Sequence, residues 1–368
     1  MTDQPTPPAS SNGNANHPSL LKSPLIWGTL VLAAAVLIGF AVNAGYFKSR
    51  EKVALVTWNQ DPFWDLVIAG AENAARDLKV DLTIVKSEPD VEAQSKHVKD
   101  LVAGGVNGIA ISPNNPKAQA ALLNEVAGKT VLVTFDSDAP DSKRRAYVGT
   151  DDYAAGHLAA EQVRDAIPGG GGVIISVGSI EMANGRDRRQ GLIDNLLDRR
   201  FSREQPSDPA EGVLKGGAYS IEATVLDAGD AEKAKAQVAE AIKAHPNTKC
   251  IVGLFSYSAP AILKAIEESG KKGQIKVVGF DDDEATQVGV ISGTIVSSVL
   301  QDPYRVGYET VRVLTDGIRG IAENGPGGPR VTQLPIHVMN ADNIESLRGE
   351  RKIRQIASAP TSAPATMP

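Results

Sequence analysis

Cysteine and aromatic residues are scarce in this chain of 368 residues. The single cysteine, Cys250, excludes a disulfide within the chain, and its position in the apolar run KCIVGLF indicates a buried thiol rather than a nucleophile. Phe, Trp and Tyr make up 5% of the residues, so the adjacent pair Phe63 and Trp64 stands out. The net charge of −6 argues against a nucleic-acid partner, because binding to phosphates needs a basic surface.

Motifs of common enzyme classes are missing as well. The sequence has no G-x-S-x-G elbow, no Walker A loop and no G-x-G-x-x-G after the first predicted strand. Its five histidines are scattered, and the acidic run DDDE at 281–284 lacks the spacing of an EF-hand. We therefore predict no metal, no cofactor and no catalytic residue. Carboxylates alone leave one ambiguity, because a sugar-binding pair and a glycosidase pair look alike in sequence.

The N-terminal segment differs from the rest of the chain. Residues 1–24 are polar and are predicted to be disordered. Residues 25–47 carry no charge, and their apolar core is long enough to cross a bilayer as a helix. Two interpretations stay open: an uncleaved transmembrane anchor, which the length favours slightly, or a signal peptide cleaved after Ala44. The basic residues just after the span oppose the usual charge pattern of an exported domain.

From Val53 onward, short runs rich in Val and Ile alternate with amphipathic stretches. Near-continuous apolar strands that alternate with helices predict a parallel, doubly wound α/β sheet. The number of units exceeds one small sheet, so two such lobes are predicted. A long surface loop is expected at 199–217 and a flexible tail at 347–368. The predicted strands are 53–58, 81–86, 108–112, 130–135, 172–177, 250–255, 275–280 and 294–300.

Polar and aromatic residues follow most of these strands. In open α/β sheets the carboxyl ends of the strands are where ligands bind. Carboxylates, guanidinium groups, amides, hydroxyls and aromatic rings together are typical of a carbohydrate site, because rings stack on sugar C–H faces and planar polar groups bind neighbouring hydroxyls. The segments are NQDPFW (59–64), DSDAP (136–140), ANGRDRRQG (183–191), SYSAP (256–260), DDDE (281–284) and QDP (301–303).

These motifs carry a resemblance to a known family. In the order NxDPFW, DSDAP, GTDDYAAG, RDRRQG, VVGFD and QDPYRVG, the chain from about residue 52 to 346 resembles type I periplasmic solute-binding proteins of the ribose/galactose kind. That resemblance implies a receptor rather than an enzyme. It implies a monosaccharide or a related small polar ligand, an ABC permease with its ATPase as partner, a monomer, and a location on the periplasmic or cell-surface side of the inner membrane, either tethered or secreted.

The resemblance also implies a mechanism, in which ligand draws two lobes together. Lobe one would comprise 52–150 plus 302–333, and lobe two 151–301 plus 334–346. The three crossings of the chain between the lobes would form the hinge.

Roles for individual residues follow from the same resemblance. Phe63 and Trp64 would stack on the sugar, and Asp61 would accept a hydrogen bond from a hydroxyl. Asp136 and Arg188 would hold hydroxyls from opposite lobes. The polar ring would be completed by Asp281 and Gln301.

Some positions depart from the family pattern. Ser137 stands where the family often carries an arginine, and Ser256 and Tyr257 stand where ribose binders carry an amide and a carboxylate. Gly229 stands where an aromatic residue is expected, and Tyr257 is a candidate substitute. These departures put ribose itself in doubt, while the sugar-binding class stands.

Alternatives stay open for several of these residues and for the function. Asp61 could serve only as a helix cap, and Phe63 and Trp64 could serve only as core packing. A sugar-responsive repressor is excluded by the lack of an N-terminal helix-turn-helix. A sensor that presents its closed form to a membrane kinase or chemoreceptor cannot be separated from a transport receptor by sequence.

Overall fold

The computed structural model describes residues 49–200, 206–321 and 330–349, together with residue 36 by itself. The predicted disordered N-terminus and nearly all of the predicted anchor or signal peptide and C-terminal tail lie outside these residues. Within the described part, no helix is long and apolar enough to cross a membrane. The chain divides into two compact units, residues 1–50 and 51–368, and both sheets lie in the second unit.

Strands and helices alternate through the described residues. The strands are β1 (Lys52–Val56), β2 (Asp81–Val85), β3 (Gly108–Ile111), β4 (Val131–Phe135), β5 (Ala146–Gly149), β6 (Gly171–Val177), β7 (Leu214–Gly216), β8 (Tyr219–Leu226), β9 (Thr248–Gly253), β10 (Lys276–Phe280), β11 (Ser297–Leu300), β12 (Arg330–Gln333) and β13 (His337–Asn340). The helices are α1 (Phe63–Leu78), α2 (Val91–Ala103), α3 (Pro116–Ala127), α4 (Asp152–Ala166), α5 (Ala183–Leu196), α6 (Ala231–Ala244), α7 (Ser258–Glu268), α8 (Glu284–Ile291) and α9 (Pro303–Ile318).

The strands form two sheets. The first has the order β2-β1-β3-β4-β5-β12 and is parallel throughout. The second has the order β7-β8-β6-β9-β10-β11-β13, with antiparallel strands only at its two edges, β7 and β13. Helices pack on these sheets and seal apolar strands such as Ile109–Ile111 and Val173–Ile175, which are fully buried. The prediction of doubly wound parallel sheets is confirmed.

The chain passes between the two sheets three times. It leaves the first sheet after Gly149, at the end of β5, and enters α4 and β6 of the second. It returns to the first sheet at 301–302, between β11 and α9. Helix α9 then packs on α1 and on strands of the first sheet. It crosses once more at 334–336, between β12 and β13. These segments join the sheets; the exact boundaries of the lobes stay a prediction.

Strand edges and strand ends differ from the sequence-based expectation. The segment 199–217 contains β7, so it is not wholly a loop among its described residues. The hairpin partner β8, YSIEATVL, alternates polar and apolar side chains near the edge of the sheet and has no continuous apolar run. Strand β1 ends at Val56 rather than at Trp58, and β11 begins at Ser297 rather than at Thr294.

Two pairs of helices cross with their backbones in contact. At the crossing of α1 and α9, a Cβ on Gly70 would lie 1.9 Å from the carbonyl oxygen of Tyr304, and one on Gly307 would lie 1.8 Å from that of Val67. At the crossing of α4 and α5, a Cβ on Gly156 would lie 1.9 Å from the carbonyl oxygen of Arg188. Only glycine permits such an approach.

We expect Gly307→Ala to lower the free energy of unfolding by about 1–3 kcal/mol or more, because the added methyl group must push α1 and α9 apart. Urea unfolding followed by circular dichroism measures the change. Gly169→Ala is the matched control, since a Cβ there meets no atom within 4 Å. Equal stability of the two variants would contradict the importance of this crossing.

Candidate functional site

Two buried aspartates occupy equivalent places at the ends of central strands. Asp136 follows β4 and Asp281 follows β10, and each comes directly after a fully buried phenylalanine. Both have φ near 58°, in the left-handed region that Asp tolerates better than most residues. Each backbone N–H donates to a neighbouring strand, to Val148 for Asp136 and to Val299 for Asp281. The turn therefore fixes each carboxylate at the carboxyl edge of its sheet.

Arg188 is the central cation of the site. Its side chain is 1% exposed, and it donates through Nε to Asp152 Oδ1 at 2.8 Å and through Nη2 to Gln301 Oε1 at 2.9 Å. Nη1 donates to the carbonyl of Leu254 at 3.1 Å. The rings of Phe255 and Phe280 lie 5.5 and 4.9 Å from the guanidinium carbon, close enough for cation–π attraction.

Burial and the guanidinium act in opposite directions on the nearby carboxyl groups. Burial raises the pKa of Asp136, with Arg188 opposing that rise. Burial raises the pKa of Asp152 to about 7, again against the attraction of Arg188. Burial lowers the pKa of Arg188, but the carboxylates of Asp152, Asp136 and Asp281 outweigh it, so the guanidinium stays charged.

The two predicted stacking residues lie in different environments. Trp64 is 1% exposed, packs edge-on against Phe135 at 5.9 Å, and donates from its indole N–H to the side-chain oxygen of Asn59. Phe63 is half-buried, lies edge-on to Trp64, and borders the cavity. Core packing, the alternative raised for both residues, describes the position of Trp64 in this conformation. Of the two rings, that of Phe63 is the one that is partly exposed to solvent.

Asp61 links the two sheets. Both of its carboxylate oxygens accept from the hydroxyl of Ser256, at 3.0 and 2.9 Å, and Oδ1 also accepts from the backbone N–H of Phe63 at 2.8 Å. Pro62 is the residue at the N-cap of α1, without a capping side chain. Asp61 thus satisfies one amide of the first turn and reaches across to the loop after β9 at the same time.

Further contacts join the sheets around the aspartates. Asn184, the second residue of α5, donates to Asp136 Oδ2 at 3.0 Å. The hydroxyl of Ser137 accepts from the N–H of Ala183 at 3.3 Å, so Ser137 supports the N-terminus of α5. Trp58 lies edge-on to Phe255 at 5.7 Å. The halves of the site are therefore in direct contact.

Gly229 explains the missing aromatic residue. Its φ is +81°, and a Cβ there would lie 2.6 Å from the ring of Trp58, which reaches over from the end of β1. Tyr257, the candidate substitute, stacks on Phe255 at 6.0 Å and donates its hydroxyl to Asp227 Oδ1 at 2.6 Å. An indole from the first sheet and a phenol from the second thus occupy the region where one aromatic residue was expected.

A cavity of about 20 Å³ lies among these side chains, enough for about one water molecule. Nine of the ten predicted site residues line it, and Ser137 lies behind them. Three lining residues were not predicted: Trp58 and Phe255, which the sequence analysis placed inside strands, and Asn59. The lining residues are Trp58, Asn59, Asp61, Phe63, Trp64, Asp136, Arg188, Phe255, Ser256, Tyr257, Asp281 and Gln301.

Comparison with known proteins agrees with this architecture. Residues 53–321 match the model of the periplasmic binding protein domain. The chain belongs to this family. The resemblance inferred from the motifs is thereby confirmed, and the location of such receptors outside the cytoplasm follows for the class.

Individual relatives are similar over most of their length. The D-allose-binding periplasmic protein of Escherichia coli (strain K12) is 25% identical over 294 residues, which cover 77% of this chain and 89% of that protein. A solute-binding protein of an ABC transporter from Burkholderia graminis C4D1M, solved with D-arabinose, is 28% identical with a TM-score of 0.71 and covers 80% of this chain and 97% of its own. GanP, a glucose-galactose binding protein from Geobacillus stearothermophilus, is 27% identical with a TM-score of 0.70, and the match covers 80% of this chain and 99% of GanP.

The pKa of Asp152 predicts a pH dependence of stability. A carboxyl group whose pKa is about 7 in the folded state and near 4 in the unfolded state binds its proton more tightly when folded. Its contribution to stability is therefore complete below pH 4 and is lost as the pH rises through 7. We expect the wild type to lose about 1–3 kcal/mol between pH 5 and 8, and Asp152→Asn to lose clearly less.

Chemical unfolding at a series of pH values measures this slope. Asp165→Asn removes an exposed carboxylate from the same helix and is the control, which should keep the wild-type slope. An Asp152→Asn variant with an unchanged slope would show that Asp152 is not the titrating group.

Proposed function

We propose that this protein is an extracytoplasmic receptor that binds a monosaccharide, or a closely related polyol, and delivers it to an ABC transporter. The observation that carries the proposal is the convergence of Asp136, Arg188, Asp281, Gln301 and Phe63 on one cavity between the strand ends of two sheets. Planar polar groups beside an aromatic face are what a sugar ring requires. The relatives named for D-allose and for glucose-galactose, and the one solved with D-arabinose, support the same ligand class.

Binding requires the two lobes to open and close. A cavity of about 20 Å³ is far smaller than a sugar, so the side chains that touch across the cleft must separate before ligand enters. Ligand would then replace contacts such as Asp61 to Ser256 and favour a closed state by touching both lobes at once. The three crossings at 150–151, 301–302 and 334–336 would act as the hinge.

Each side chain has a role that its geometry supports. Phe63 stacks on an apolar face of the sugar, while Asp136 and Asp281 accept from hydroxyls. Arg188 donates to hydroxyl oxygens through those guanidinium N–H groups that do not bond to Asp152, Gln301 or Leu254. Ser256, Tyr257 and Gln301 complete the polar ring. None of these roles needs bond making, so the protein acts as a receptor and not as an enzyme.

The partners follow from the receptor role. The closed form would be recognised by a permease and its ATPase, with the receptor working as a monomer. If the predicted span at 25–47 is uncleaved, it would tether the receptor beside the permease and raise its effective concentration there.

A thermal-shift screen of the purified full chain against pentoses, hexoses and polyols tests the proposal. A ligand that binds only the folded state at 100 times its Kd adds about 2.7 kcal/mol, which raises the Tm by several degrees. Asp136→Ala should abolish the shift, whereas Asp141→Asn, an exposed neighbour in the same loop, should keep it. Absence of a shift with every sugar and polyol would refute the proposed ligand class.

The two neighbouring aromatic residues should respond differently to truncation. Phe63→Ala should weaken sugar binding by about tenfold or more at a smaller cost in stability than Trp64→Ala, because its ring is only partly buried and borders the cavity. Trp64→Ala should lower the free energy of unfolding by about 3–5 kcal/mol, because its ring is fully buried. Calorimetric titration and urea unfolding of both variants measure the two effects. Sugar affinity that is unchanged in Phe63→Ala would eliminate the stacking role.

A further inference from the structure

The surroundings of Asp61 are unusual for a carboxylate that borders a ligand cavity. Its partners are a hydroxyl, from Ser256, and one backbone amide, from Phe63. Burial raises its pKa, and the two charges that act on it most, Asp283 and Asp65, are also negative and raise it further. Among the described residues, the hydrogen-bond donors to the Asp61 carboxylate are thus neutral groups.

The charges within the cavity show the same imbalance. Its lining contains three carboxylates, Asp61, Asp136 and Asp281, and one guanidinium, Arg188. That guanidinium is already paired with a fourth carboxylate, Asp152, at 2.8 Å. Among the described residues that line the cavity, therefore, negative charge exceeds positive charge even before Asp152 is counted.

The approach to the cavity is acidic too. A cleft of about 920 Å³ opens beside it and shares Asp61, Phe63, Ser256 and Asp281 with its lining. Its described lining has one basic residue, Arg348, which lies 3.4 Å from Glu345. An acidic cleft of this kind concentrates cations and repels anions. The acidic residues along it are Asp61, Asp281, Asp282, Asp283, Glu284 and Glu345.

A bound metal ion is not the explanation that the geometry favours. No group of three or more His, Cys, Asp or Glu side chains in the described part of the chain is arranged to hold one. An acidic cluster by itself would be only a solvated surface. Here the same carboxylates surround the cavity of a solute-binding fold and share it with Phe63 and Tyr257, so their charge bears on the ligand.

We propose that the ligand is a polyhydroxylated ring that carries an ammonium group, an amino sugar or an amine-bearing cyclitol, and that Asp61 is the counter-ion of that group. This inference rests on the proposed function and specifies its ligand class. A neutral sugar would offer the partly buried Asp61 carboxylate hydroxyl donors but no charge of opposite sign. An ammonium group would donate charge-assisted hydrogen bonds to the carboxylate, and these are stronger than neutral ones. The aromatic faces would still take the C–H side of the ring.

Isothermal titration calorimetry of the full chain with matched pairs tests the inference. The pairs are D-glucosamine with D-glucose, D-galactosamine with D-galactose, and an aminodeoxyinositol with inositol, each pair differing in one charged nitrogen. N-acetyl-D-glucosamine adds a nitrogen without charge. At least one amine should bind about tenfold or more tightly than both its hydroxyl analogue and its acetylated form, and its affinity should fall with added salt.

Two variants test whether the preference for the amine depends on the charge of Asp61. Asp61→Asn keeps the size of the side chain and removes its charge, so the ratio of the amine's affinity to that of its neutral analogue should fall to about threefold or less, whatever the change in the affinity for the neutral analogue. Asp65→Asn removes the same charge four residues along, from a side chain that is 67% exposed and paired with Lys86 at 2.6 Å. It should keep the preference.

The outcomes distinguish a failure of this inference from a failure of the proposed sugar-receptor function. Neutral sugars that bind as tightly as their amines overturn the inference and leave the sugar receptor intact. A preference that survives in Asp61→Asn also overturns it, because the counter-ion is then another group. Failure of every amine and every neutral analogue to bind overturns the inference together with the proposed function.

Discussion

The buried guanidinium of Arg188 is the constraint on which the site depends. A charge that is 1% exposed is stable only when its hydrogen bonds are made and its charge is balanced. Its partners come from three separate places: Asp152 opens α4, Gln301 stands at a crossing between the sheets, and Leu254 follows β9. The close crossing at Gly156 fixes the backbone that carries it. Helix packing, strand ends and the connection between the sheets therefore meet in one network.

This network couples the site to the connection between the sheets. Gln301 accepts from Arg188 and also from the hydroxyl of Thr150, which belongs to another crossing. Its amide nitrogen donates to Asp281 at 3.2 Å. A rotation of the sheets that moves either crossing must change these distances. A ligand that bonds to Asp281 or Arg188 would therefore contact residues that are hydrogen-bonded to Gln301, at one of the proposed hinge crossings.

The sequence predicted the parts of the structure that follow from local chemistry. Central strands such as β3 and β6 are continuous apolar runs, so both were recognised, and the rule that ligands bind at strand ends placed Asp136, Asp281 and Gln301 together. Strand β8, next to the edge strand β7, was missed because polar residues alternate with apolar ones along it and break the apolar run.

Residues defined by contacts between distant segments were beyond sequence reasoning. Asn184 and Asp152 lie in motifs that attracted attention, yet only the fold shows that they reach Asp136 and Arg188. Trp58 read as the last residue of a strand, but β1 ends two residues earlier and frees its ring to cross to Gly229. A glycine in place of an aromatic residue looked like a loss, whereas it makes room for an indole from the other sheet.

The balance of charge across the cleft determines what closure requires. Asp136, from the first sheet, and Arg188, from the second, attract each other, so this pair would favour the closed state of the proposed mechanism. Asp61 also bonds across the cleft, to Ser256, but burial and its acidic neighbours Asp283 and Asp65 raise the pKa of its carboxyl group and disfavour its charged form. The carboxylate of Asp61 is thus held less favourably than that of Asp136, which has a cation beside it. A ligand that supplies hydroxyls to Asp136 and Arg188 and a positive charge to Asp61 would stabilise the charge of both carboxylates, and it would favour closure because it touches both lobes at once.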